Sequence, residues 1–274
     1  MLTAEAAWAG FFIERWGSRL REEGIEVVCV VIDENRTRRA NPVRHVLSVA
    51  KGQAKVARSS VAGALVRSVV FRLWTHTSRH NGAVTSAALP ETVPCFRVSS
   101  LNSAETVKAV RACGADASCL LGARILSQRT IQELGHLILN GHASDPAFVR
   151  GRPPVIWEVL NGNRHICLTV HQVIARLDAG PIYGQRLQEI IYCGGIGATM
   201  RATMEEGRVR MTDLFAEVLS GLRAGAVTPK EFTPGPVRTI PTISQLIRAE
   251  MLCRKRSRVV PALRNTALTT DGRG

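Results

Sequence analysis

Apolar residues recur at helical spacing through "AEAAWAGFFIERWGSRLREEG", with Ala7, Phe11, Ile13 and Leu20 on the inward side and Gly24 as the residue that ends the helix. The apolar run that follows, "IEVVCVVIDE", predicts a buried strand. Residues 42–74 include "VRHVLSVAKGQAKVARSSVAGALVRSVVFRLW", where Arg and Lys alternate with Val, Leu and Ala, and predict basic amphipathic helices. From "VPCFRV" onward the period switches repeatedly: a short strand, a helix over 103–113, a strand over 117–121, a short helix after Ser127 and a strand over 136–140. Two further strands, "ICLTVHQVIARLD" and "PIYGQRLQEII", flank a turn, and a helix follows over 198–223. The remainder is Pro-rich, then one basic helix, then a tail too polar and Gly-rich to order itself.

Strands that alternate with helices across short loops imply a mainly parallel, Rossmann-like sheet in a three-layer α/β sandwich. The strand that should precede the first helix is missing, or reduced to "MLT". Residues 1–195 are expected to form the main domain, with the basic helical insert at about 42–80, and residues 196–274 a helical extension with a flexible basic tail. In such sheets ligands collect at the carboxyl ends of the strands. Both the Gly122-Ala123-Arg124 turn and the Asn140-Gly141-His142 run fall there.

Composition narrows the class. The 274 residues are 45% hydrophobic and 5% aromatic, and no apolar run approaches the roughly 18 residues of a membrane span. The first residues lack a basic n-region and contain Glu5 and Glu14, which excludes a signal peptide reading. Cys29, Cys95, Cys113, Cys119, Cys167, Cys193 and Cys253 are scattered with no C-x-x-C pair, so they read as reduced thiols of a cytosolic protein rather than zinc ligands. No metal site is expected. "HTSRH" sets His76 and His80 four apart, but without a third ligand it reads as a loop. A formal charge of +14 favours anionic partners: nucleic acid, phosphate-bearing small molecules or acidic membranes. Arg-rich composition on a solvated surface explains the same charge, and a helix covering one sheet face explains the basic segment.

Candidate chemistry sits at 140–142. On a strand that runs through residue 142, Asn140 and His142 point to one side, offering an amide donor and an imidazole. Asp178, from a separate turn, adds an acidic group, and the set can stabilise an oxyanion and move a proton. Taken alone, N-x-H is a weak signal, and a buried histidine satisfied by a neighbour is the commoner outcome.

The order of elements is more specific. Asn140-x-His142-x-Ser144, Arg150-Gly151, Trp157-Glu158, Gly162, Leu168-Thr169-Val170-His171, Leu177-Asp178-Ala179-Gly180-Pro181-Ile182 and Gln185 together resemble the folate-dependent formyltransferase family. That family includes glycinamide ribonucleotide, methionyl-tRNA and nucleotide-sugar formyltransferases. The resemblance covers residues 93–190 well and 1–35 loosely. It implies transfer of a formyl group from 10-formyltetrahydrofolate to a primary amine, with Asn140 and His142 holding the oxyanion and Asp178 orienting His142 and receiving the proton. It also implies that Gly122, Ala123, Arg124, Ile125 and Leu126 line the folate pocket, with Leu177 and Gly180 on the facing turn.

Ser144 and Arg150 are expected on the acceptor side, Arg150 meeting either a substrate phosphate or a carboxylate of a neighbouring loop. Arg124 is read either as a partner for an acidic group of folate or as a cap of its turn. His171, inside an apolar strand, is expected to be structural. After His142 this chain reads Ala143-Ser144-Asp145-Pro146, where the family has Pro-Ser-Leu-Leu-Pro. Two classes of function compete. One is an N-formyltransferase acting on a small-molecule amine, such as an amino sugar on an anionic carrier, with a 10-formyltetrahydrofolate hydrolase as a variant. The other is a non-catalytic protein of the same fold, binding nucleic acid or an acidic membrane through its basic surface.

Overall fold

The computed structural model describes residues 1–34, 60–76, 87–151 and 153–269. Seven strands form one sheet: β1 (Leu2–Thr3), β2 (Val30–Asp33), β3 (Cys95–Val98), β4 (Ala117–Leu121), β5 (Leu137–His142), β7 (His165–Gln172) and β8 (Ile182–Glu189). Their order is β3-β2-β1-β4-β5-β7-β8. The first five are mutually parallel, whereas β7 runs antiparallel to β5 and β8 antiparallel to β7. A second, two-stranded sheet pairs β6 (Arg150–Gly151) with β9 (Val237–Arg238).

Strand alternation sorts the core into two layers. On one face Val30, Ile32, Leu121, Leu139, Ile166, Leu168 and Val170 pack against α1 (Ala6–Glu22) and α6 (Ile196–Arg223). Short α5 (Ile156–Leu160) and the long α7 (Ile243–Thr269) join this cluster through Ile156, Val159, Leu246 and Cys253. On the other face Leu2, Val31, Val98, Leu120 and Ile138 pack against α3 (Ala104–Ala112) and α4 (Gln128–Leu134). The result is the expected three-layer α/β sandwich.

The first strand is present, which corrects the expectation that it is missing; the shorter alternative, "MLT", holds. Leu2 pairs with Val31 on one side and Leu120 on the other, so two residues bridge β2 and β4 at the middle of the sheet. The buried terminal amine of Met1 donates to the Cys29 carbonyl and extends this seam. Helix α6, which the sequence reading assigns to a C-terminal extension, buries Met211, Leu214, Phe215 and Val218 in the main core.

Two glycines let α6 approach. A Cβ at Gly141 would stand 2.8 Å from Phe215 Cε2, and one at Gly184 2.6 Å from Val218 Cγ2. Of the basic 42–80 segment, residues 60–76 are described and include α2 (Val61–His76); the rest of that expectation, with His80, lies outside the described residues. Among the described residues, no helix is long and apolar enough to cross a membrane.

Candidate active site

Gly141 faces α6, so its neighbours Asn140 and His142 project from the opposite face at the carboxyl end of β5. The antiparallel register then sets Asn140 across from His171 and His142 across from Thr169. Asn140 Nδ2 lies 3.1 Å from His171 Nε2, and His171 Nδ1 lies 2.9 Å from its neighbour's carbonyl, Gln172 O. The rings of His142 and His171 meet edge to face at 6.2 Å.

Asp178 completes the group. Its Oδ2 is 3.9 Å from His142 Nε2 and its Oδ1 3.7 Å from His171 Nε2. Both distances exceed a direct hydrogen bond; a small rotation can close the one to His142, and a water donating to both acceptors can bridge the one to His171. The expected Asn140, His142 and Asp178 are therefore brought together, with His171 as a fourth member. Sequence reasoning assigned His171 to structure because it sits in an apolar strand; the signal that finds it is the β5–β7 register, which no single segment carries.

Asp178 has φ 44, one of two non-glycine residues at positive φ among those described. Asp tolerates this left-handed region better than most residues, at a cost of about 1 kcal/mol. The conformation is held from both sides: the Gly151 amide donates to Asp178 Oδ2 at 3.0 Å, and the Arg150 guanidinium donates to Leu177 O at 2.8 Å. Gly180, after the turn, is buried, and a Cβ there would run into the Gln172 carbonyl, so the close approach requires glycine.

Ser144 and Arg150, expected on the acceptor side with Arg150 meeting either a substrate phosphate or a neighbouring carboxylate, both make contacts within the chain. Ser144 is buried, and its hydroxyl donates to Glu158 Oε1 at 2.6 Å while its carbonyl accepts from Thr169 Oγ1 at 3.0 Å. Arg150 is also buried, and Nε donates to Gly235 O at 2.7 Å. A guanidinium spent on two backbone carbonyls clamps the Asp178 turn to the segment around residue 235. It is a brace, turned away from solvent.

Burial lowers the His171 imidazole below its ordinary value, against weaker support for the cation from Gln172 O and Asp178. His171 is therefore neutral: Nδ1–H donates to Gln172 O and Nε2 accepts from Asn140. One Asn140 amide hydrogen is thus committed and the other remains for a ligand. Burial likewise raises the Glu158 carboxyl, partly offset by the Ser144 hydroxyl.

The 122–126 loop leaves the neighbouring strand β4 with Gly122 at φ +60. Asn102 pins it, donating from Nδ2 to Ile125 O at 3.0 Å and accepting from the Ser127 amide at 2.6 Å. Ile125 is 71% exposed, an apolar side chain held out at the carboxyl end of β4, whereas Leu126 turns inward to the core. Ala123 packs partly on that core and Arg124 is exposed.

Comparison with known proteins gives this arrangement a context. Methionyl-tRNA formyltransferase of Solibacter usitatus is 29% identical over 151 residues, which are 54% of this chain and 47% of that one. The corresponding enzyme of Streptococcus agalactiae serotype III is 25% identical over 162 residues, 59% of this chain and 50% of that one. The chain thus spans about half the length of these curated relatives. The fold is shared with glycinamide ribonucleotide transformylase 1 from Symbiobacterium toebii, at TM-score 0.51 and 17% identity over 87% of this chain and 91% of that one. It is shared equally with a formyltetrahydrofolate deformylase from Pseudomonas syringae pv. tomato, at TM-score 0.52 and 20% identity over 88% and 64%. The formyl transferase family profile matches residues 18–211, and the chain belongs to that family.

Proposed function

We propose that the protein is an N-formyltransferase that moves a formyl group from 10-formyltetrahydrofolate to a primary amine, that of an amino sugar on an anionic carrier. The observation that carries this reading is the convergence of Asn140, His142, His171 and Asp178 at one strand end within 3.9 Å contacts. Residues at the same carboxyl edge of the sheet support the donor: exposed Ile125 offers an apolar face to a flat ring, and the Gly122 loop and the Leu177 to Gly180 turn offer backbone groups. The donor supplies an N-bound formyl carbon open to attack.

The chain's own residues divide the remaining work. Attack by an amine places negative charge on the formyl oxygen, and the uncommitted Asn140 amide hydrogen, with His142, is positioned to receive it. The amine must also shed a proton. Asp178, near the two histidines, accepts that proton directly or through a water. His171 holds the Asn140 amide in the orientation that presents its free hydrogen.

Curated relatives named for methionyl-tRNA support an amine acceptor on a large anionic carrier, as does the +14 charge. Incubation with 10-formyltetrahydrofolate and a panel of amines, following free tetrahydrofolate and formate, is the test. Amine-dependent release of tetrahydrofolate with a formylated product is expected. Formate in place of that product indicates a hydrolase, and release of neither defeats the proposal.

A further inference from the structure

A second charged feature lies at the carboxyl edge of the sheet, on the α1–α6 side opposite the face from which Asn140 and His142 project. Glu5 Oε2 lies 2.6 Å from Arg208 Nη2, and the Arg208 guanidinium lies 5.4 Å from the Trp8 ring centroid. Trp8 is itself fixed, its Nε1 donating to Thr212 Oγ1 at 3.0 Å. The pair touches the loop proposed to meet the donor, since a Cβ at Gly122 would stand 3.1 Å from Glu5 Oε1 and 3.1 Å from Trp8 Cε3. Register fixes its distance from the catalytic cluster: Thr3 pairs with Leu121, and Leu120 with Asn140. Glu5 therefore leaves the sheet two strands from β5, about 10 Å along the carboxyl edge, a span comparable to one sugar ring and its substituents.

The charge at this spot runs against what its surroundings favour. Glu5 immediately precedes α1, a 17-residue helix whose first turn carries no acidic side chain, and its carboxylate makes no capping bond to that helix. A helix start and an Arg stacked on an indole would together attract an anion. Glu5 instead fills the place with the protein's own carboxylate and joins it to Arg208. Both side chains remain partly exposed, 40% and 36%, so they face whatever occupies the edge.

We infer that Glu5 is an acceptor-specificity determinant: paired with Arg208 beside Gly122, it excludes phosphate from this edge and selects an acceptor whose groups here are hydroxyls or a cationic amine. The inference rests on the N-formyltransferase reading for the word acceptor, though not for the exclusion of phosphate. A phosphate brought here meets a carboxylate of like charge at contact distance and must break the Arg208 ion pair to bind. A polyol does neither, and two of its hydroxyls can donate to the Glu5 oxygens. Any anionic carrier then lies farther out, away from Glu5.

The test uses Glu5→Gln, which keeps size and removes charge, and the double variant Glu5→Gln with Arg208→Gln. Inorganic phosphate is titrated into each by calorimetry, and kcat/KM is compared for glucosamine and glucosamine 6-phosphate with 10-formyltetrahydrofolate. Glu5→Gln is expected to bind phosphate about tenfold or more tighter than the wild type, and the double variant to lose that gain. The preference between the two sugars is expected to move towards the phosphorylated one by a similar factor. Equal phosphate affinity in wild type and Glu5→Gln overturns the inference, as does an unchanged sugar preference. If no amine is formylated by any form, the N-formyltransferase reading fails while the phosphate titration still decides the role of Glu5.

Discussion

Asn140 and His171 face each other across the β5–β7 pair with 3.1 Å between Nδ2 and Nε2, and this contact decides which atoms of both side chains remain for chemistry. Because His171 Nδ1 is engaged by Gln172 O, its Nε2 is the acceptor and Asn140 the donor. Replacing His171 by Phe keeps the bulk and deletes the acceptor. The expected outcome is a kcat about 10- to 100-fold lower with KM for the donor little changed, and a loss of about 1–3 kcal/mol for the buried amide hydrogen left unpaired. A variant with full kcat would show that Asn140 needs no such anchor.

The same residue sets a pH dependence of stability. The His171 pKa is lowered by burial, so the unfolded chain binds its proton more readily than the native one. This contribution is fully present above the ordinary histidine value of about 6.5 and is lost as pH falls from there towards the lower native value. His136, lowered by burial too and bonded to Ser118 Oγ at 2.8 Å, acts with the same sign. Melting temperatures measured from pH 8 to pH 5 are expected to fall less steeply for His171→Phe than for the wild type, the His136 component being common to both. Parallel curves would place the His171 proton elsewhere.

Gly141 tests why the site has its spacing. The N-x-H arrangement needs a residue on the opposite face that admits α6, and a methyl there would stand 2.8 Å from Phe215 Cε2 and 3.0 Å from Met211 Sδ. Gly141→Ala is expected to destabilise the fold by about 1–3 kcal/mol in urea titration, as overpacking does. Phe215→Leu in the same chain should recover part of the loss. No destabilisation would mean that α6 sits farther from β5.

Much of this was legible in the chain itself, for identifiable reasons. The period-two alternation through 137–142 put Asn140 and His142 on one side, and the strand–helix alternation fixed the sandwich and the carboxyl edge. Two residues of β1 were nearly illegible because "MLT" is too short to carry a period, yet pairing on both sides stabilises it. Ser144 and Arg150 look like surface polar groups in sequence. Their partners, Glu158 at one end and the carbonyls of Leu177 and Gly235 at the other, come from distant segments. His171 is illegible for the same reason: its role depends on register between two strands 31 residues apart at the contact.

Arg150 distinguishes a brace from a substrate ligand. A Lys at this position offers a single ammonium and cannot reproduce the guanidinium fork that reaches both Gly235 O and Leu177 O. Arg150→Lys is therefore expected to loosen the Asp178 turn, lowering kcat about tenfold or more while KM for an amine acceptor stays within about twofold. A change confined to acceptor KM would restore Arg150 to substrate binding. Stability is expected to drop by about 1.5–3 kcal/mol, the worth of a charged hydrogen bond lost in a buried setting.

Asp178 carries the most demanding prediction, because its conformation and its charge are separable. At φ 44 the residue sits where Asn is tolerated as readily as Asp, so Asp178→Asn keeps the turn and an oxygen able to accept from the Gly151 amide. What it removes is the capacity to take a proton. Turnover is expected to fall about 10²- to 10⁴-fold with donor affinity retained, measured as binding of 5-formyltetrahydrofolate by calorimetry. Asn140→Ala, which removes the proposed donor to the formyl oxygen, is expected to cost about 10²- to 10³-fold in kcat. Asp178→Asn should melt near the wild-type temperature, whereas Asn140→Ala leaves the buried His171 Nε2 without its donor and should lose about 1–3 kcal/mol. Asp178→Ala, by contrast, puts a poorly tolerated residue at positive φ and is expected to lose stability as well as turnover. If Asp178→Asn and Asn140→Ala both turn over an established amine at near wild-type rates, proton acceptance and oxyanion stabilisation reside in other groups.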